Sequence, residues 1–119
     1  MHPTLQLVFD RFPTHNICVV GSAVLDYEHA KDIDILFLPP TDWKALVKRL
    51  GVKYNGWDTP TGHIRRAAWR MDGVEKLIHV MMKDTVKDAS DWPNLVLLRS
   101  GTVIHRENPF VKDTKRVDT

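Results

Sequence analysis

Apolar and polar positions along this chain fall into short runs, and the period of each run points to an element. Leu5, Val8, Phe9 and Phe12 recur at helical spacing, which predicts a helix over residues 3–12 with Pro3 in its first turn. Pro13 ends it. Ile17, Cys18, Val19 and Val20 follow without a polar break, the pattern of a strand covered on both faces, here over 16–20. A second run, over 32–38, alternates instead. Strand side chains switch faces at every residue, so Asp32 and Asp34 share one face while Ile33, Ile35 and Phe37 share the other. Between the two strands, Gly21 and Ser22 open a short helix or turn, and 28–31 is a polar connection. Pro39 and Pro40 stop the second strand. Trp43, Leu46, Val47 and Leu50 form the buried stripe of a helix over 41–50. Thr41 is its expected N-cap, Asp42 favours its positive end, and Gly51 suits its exit.

Residues 52–62 read as an irregular connection, with Asn55-Gly56 and Pro60 marking turns. Asp72-Gly73 stands between two strand-like runs, 63–71 and 74–82, where Asp-Gly is a strong hairpin signal. A two-residue turn would set Arg70 opposite Glu75, Ala68 opposite Leu77 and Arg66 opposite His79, all on one face. Trp69 with Lys76 and Ala67 with Ile78 would share the other. Arg70 and Glu75 would then form a cross-strand ion pair. Ser90 or Asp91 is expected to cap a helix reaching Arg99, with Pro93 in its first turn and Gly101 at its end. Residues 102–105 read as a short strand. This order predicts one α/β (α+β) domain over 1–107, a small mixed sheet flanked by helices, and a polar, frayed tail over 108–119.

Composition changes this picture little. Hydrophobic residues make up 43% and charged residues 27%, an ordinary balance for a chain that buries its own core. A net charge of +2 is mildly basic and compatible with a nucleotide or RNA partner. The single cysteine, Cys18, lies in an apolar run, so a core thiol is expected and an internal disulfide framework is excluded. No apolar run approaches the length of a membrane span, and no signal peptide is visible, which points to a cytoplasmic protein without membrane partners. The four tryptophans are scattered, so core packing is the expected role of Trp43, Trp57, Trp69 and Trp92. His29, His63 and His105 stand alone and read as surface histidines.

The chemistry is concentrated in residues 17–38. Two carboxylates side by side on a strand repel each other unless a cation sits between them. Mg²⁺ prefers such oxygen ligands and usually brings a nucleotide phosphate with it. Gly21 would let a backbone approach a phosphate, and Ser22 would add a hydroxyl and an N–H at a helix start. An apolar strand, Gly21-Ser22, and then Asp32-Ile33-Asp34-Ile35 beginning ten positions after Ser22 resemble the signature of the DNA polymerase β-like nucleotidyltransferase superfamily. The small size of the chain resembles the minimal type within it. The resemblance implies transfer of a nucleoside monophosphate from a nucleoside triphosphate to a hydroxyl on an RNA end, a protein or a small molecule. It implies Asp32 and Asp34 as Mg²⁺ ligands, with Mn²⁺ as the other candidate ion, and Gly21 and Ser22 as holders of the β- and γ-phosphates. Minimal members often work with a partner protein, and at 119 residues a partner or a homodimer is expected alongside a monomer.

One position departs from that superfamily. Active members usually carry a third carboxylate on the strand beside Asp-x-Asp, and the middle of the matching strand here is His79. His79 is a base or a nitrogen ligand, or Glu75 reaches in from the hairpin end, or the site is degenerate. Arg66 is expected on the same sheet face as His79, where a triphosphate or an RNA backbone could meet it. The site residues expected are therefore Asp32, Asp34 and His79 for chemistry, and Gly21, Ser22 and Arg66 for the nucleotide. The alternative reading is a non-catalytic module of the same fold that binds a nucleotide or a partner protein, antitoxin-like or inhibitory.

Overall fold

The structure, a computed structural model, describes residues 1–104, so the expected tail over 108–119 and His105 lie outside the described residues. The elements run α1 (Pro3–Arg11), β1 (Ile17–Val20), α2 (Ser22–Leu25), β2 (Asp32–Phe37), α3 (Trp43–Leu50), β3 (Tyr54–Thr59), β4 (Gly62–Trp69), β5 (Leu77–Lys83), a 3₁₀ turn (Ala89–Asp91), β6 (Val96–Leu97) and β7 (Val103–Ile104). The strands form one mixed seven-stranded sheet in the order β3-β4-β5-β2-β1-β6-β7. Among the described residues only β2 and β5 pair in parallel; every other pair is antiparallel. No helix among the described residues is long and apolar enough to cross a membrane.

One sheet face is a continuous apolar core. Val19, Ile33, Ile35, Phe37, Ile78 and Val80 point into it and meet α1 and α3 through residues such as Phe9, Phe12 and Leu46. β1 is buried at all four positions, as its unbroken apolar run predicts. The opposite face carries a smaller core at one end, where Cys18, Val20, Leu36, Met81 and Val96 are covered by Val86 and Trp92 from the segment after β5. Burial pushes the Cys18 thiol up to about 12, which keeps it protonated and inert.

Several expectations need correction. The cap of α3 is Asp42, whose carboxylate accepts from the Ala45 N–H, while the Thr41 hydroxyl donates back to the Leu38 carbonyl. Residues 54–59 are the strand β3 and not an irregular connection. Gly56 sits inside it because the His63 ring from β4 stands 2.9 Å from where a Cβ would be, so this glycine serves close approach and not a turn. The helix expected up to Arg99 is replaced by the 3₁₀ turn and β6, which pairs along the open edge of β1. Arg99 then reaches back and donates to the carbonyls of Phe9, Phe12 and His15 at the end of α1.

The hairpin is real, but its register is displaced by two residues: Trp69 pairs with Ile78, Ala68 with His79 and Arg66 with Met81. A tight turn does form at Asp72-Gly73, closed by the Val74 N–H on the Met71 carbonyl. Glu75 and Lys76, however, leave the ladder. The Glu75 carboxylate accepts from the Tyr27 hydroxyl, and the Lys76 ammonium donates to the Tyr27 and Ala30 carbonyls. Those bonds pin the connection before β2 and take two residues from the strand. The Arg70–Glu75 ion pair is therefore absent; Arg70 donates to the Glu75 backbone carbonyl instead. A displacement of two keeps every side chain on its predicted face.

Candidate metal centre

Asp32 and Asp34 stand on the face of β2 opposite the helices, as the alternation of their strand predicts, and both are half-buried. The parallel pairing of β2 with β5 sets Asp34 directly beside His79. The His79 Nδ1 lies 3.3 Å from Asp34 Oδ1 and 3.6 Å from Asp32 Oδ2. One ligand atom from each of the three residues falls within 4.8 Å of the others. Parallel strands hold residues far apart in sequence in a rigid register, so this grouping depends on backbone pairing and not on a mobile loop.

Gly21 completes the floor. It follows β1 at the point where Val20 pairs with Asp34, and its φ of 81° lies in the left-handed region that favours glycine. A Cβ built there would stand 2.7 Å from Asp34 Oδ2, so the carboxylate occupies the space that any side chain would need. Gly21 is exposed beside Asp34, and Ser22, the first residue of α2, is exposed next to it in the chain.

The charges are unequal in their surroundings. Burial, and next the neighbouring Asp32 charge, raise the Asp34 pKa, while the hydrogen bond and charge of His79 and the charge of Arg66 oppose the rise. A positive charge between the carboxylates would relieve both causes. Two carboxylates and an imidazole also form a donor set that suits a divalent ion. Oxygen donors alone fit Mg²⁺ best, and the imidazole extends the fit to Mn²⁺ and Zn²⁺.

Arg66 stands on the same face, opposite Met81 and so two residues from the expected position beside His79, and its guanidinium lies 5.4 Å from the Trp57 ring centroid. Glu75 is held by Tyr27 and takes no part in the cluster, which removes it as a third carboxylate; the Tyr27 hydrogen bond also lowers its pKa. Of the other histidines, His29 pairs with Asp26 and His63 with Asp58 at the surface. Trp43 and Trp69 are buried in the main core, and Trp92 packs on the smaller one. Trp57 is the exception to the expected core role, at 39% exposure on β3. Its exposure has no signal in the sequence, because Asn55-Gly56 and Pro60 mask the strand that carries it. Compared with protein-family models, with curated proteins and with solved structures, the chain matches none.

Proposed function

We propose that this chain is a metal-dependent nucleotidyltransferase of the DNA polymerase β-like type, in which an acceptor hydroxyl displaces pyrophosphate from the α-phosphorus of a nucleoside triphosphate. The observation that carries the reading is the grouping of Asp32, Asp34 and His79 within 4.8 Å, next to a glycine in a left-handed conformation. Asp32 and Asp34 would hold the ion, and His79 would serve as third donor in the place of the usual carboxylate. When bound, a divalent cation polarises the phosphoryl group and offsets its negative charge. Gly21 would let a triphosphate lie against the backbone there, and Ser22 would add a hydroxyl and an N–H at the start of α2. Arg66 supplies a cation on the same face for phosphate oxygens.

Calorimetric titration of each nucleoside triphosphate, with Mg²⁺ and then Mn²⁺, tests this. Wild type should bind in a metal-dependent way, and the Asp32→Ala/Asp34→Ala variant should not. One observation favours a second reading. The His79 Nδ1 already faces both carboxylates at 3.3 and 3.6 Å, so the imidazole could bridge them itself by hydrogen bonding, in place of an ion, and leave a non-catalytic binding module. A folded wild type that binds neither ion nor nucleotide would select that reading.

A further inference from the structure

The sheet face that carries the triad continues, uncovered, onto β4 and β3. Ala68 and Arg66 on β4 and Asn55 and Trp57 on β3 all stand on it and are all exposed. Lys83, opposite Ile64, adds a second cation on that face. Beyond Asp32 and Asp34, no carboxylate of β3, β4 or β5 stands there, since Asp58 pairs with His63 on the opposite face. Arg66 lies over the Trp57 ring and ties the indole to the strip.

Dimensions decide what such a strip can hold. Trp57 is three strands across from Asp34 and four residues along the strand direction. Strand spacing and rise put the two Cα atoms about 20 Å apart. One nucleoside triphosphate with its phosphates at the carboxylates cannot place its own base on Trp57. A few nucleotides of extended strand span that gap, with phosphates meeting Arg66 and Lys83 and an upstream base stacking on the indole. Cationic grooves with exposed aromatic rings are how single strands are held without sequence preference.

We infer that the acceptor is the end of a single-stranded nucleic acid, which runs from Trp57 past Arg66 to the carboxylates. This rests on the nucleotidyltransferase reading for the identity of the acceptor, but the binding surface is tested without it. The experiment is fluorescence anisotropy of a labelled RNA hexanucleotide, without nucleotide or metal, against wild type, Trp57→Ala, Trp57→Phe and Arg66→Ala. Trp57→Ala should weaken binding about tenfold, the loss of one stacked base, and Trp57→Phe should restore most of it. Arg66→Ala should flatten the slope of log affinity against log salt by about 0.7, one phosphate contact on a single strand. Affinity unchanged in Trp57→Ala overturns the inference, as does equal binding of a duplex of the same length or of polyglutamate. A Trp57→Ala variant that turns a dimeric wild type into a monomer also overturns it, because the face is then a self-contact. Trp57-dependent RNA binding supports the surface even where the nucleotide titration fails, so that failure falls on the triad alone.

Discussion

The helix-covered face of the sheet and the face opposite are built on the same strands, residue by residue. On β2, Ile33 and Ile35 are fully buried in the core shared with α1 and α3, while Asp32 and Asp34, which alternate with them, stay half-exposed. On β5, Ile78 and Val80 face the helices, and His79 faces the carboxylates. The contrast teaches that the site adds no element of its own to the fold. It uses the outward positions of the strands that form the core, so the core fixes the geometry of the site. The expected dependence is one-way, with the core holding the site and not the reverse.

Substitutions on adjacent residues put that asymmetry to the test. Ile35→Ala, which removes a fully buried side chain between sheet and helices, should cost about 2–5 kcal/mol of stability by denaturant unfolding. Asp34→Ala, one residue away, should change stability by less than about 1 kcal/mol and yet abolish metal binding. Comparable stability losses for both would break the comparison, because the site would then be part of what holds the fold.

Gly21→Ala probes the point where site and backbone meet. It forces a side chain into a left-handed conformation and against Asp34 Oδ2 at 2.7 Å. A cost of about 1–3 kcal/mol is expected, together with weaker metal binding. Retention of wild-type metal affinity would show that the Asp34 carboxylate has room to move.

The smallest effect is the dependence on pH. The folded protein raises the Asp34 pKa, so in acid the folded state keeps a proton that the unfolded chain has already released. Asp34 therefore contributes stability at low pH, and that contribution is lost as pH rises from the ordinary carboxylate range through the raised value. Thermal melts of Asp34→Asn against wild type should show this decline in the wild type alone. A saturating divalent ion should remove it, by favouring the charged form.

The parts of the fold that were legible in the sequence share a cause. α1, β1 and β2 have strong single-period patterns ended by prolines or polar breaks, and each is found where its pattern places it. The same alternation set Asp32, Asp34, His79 and Arg66 on one face. The misses come from residues whose partners lie far away. Gly56 looks like a turn until the His63 ring is seen over it. Glu75 and Lys76 look like strand until Tyr27 and Ala30 draw them out. Leu95 to Leu98 is an apolar run with no period of its own, and the open edge of β1 makes part of it a strand. Trp57 was legible as an aromatic residue, but its exposure follows from β3 lying at the sheet edge.

Arg99 sets an order on folding. The carbonyls at the end of α1 accept local backbone N–H groups, Phe9 from Phe12 and Phe12 from His15, and also a guanidinium that is 90 residues farther along, measured from Phe9. A nascent chain emerging N-terminus first can form α1 and its local bonds early, but the guanidinium bonds form only once Arg99 has been synthesised. The end of the first helix is thus fastened twice, locally and by a residue made long after it, while its apolar face is held in the main core.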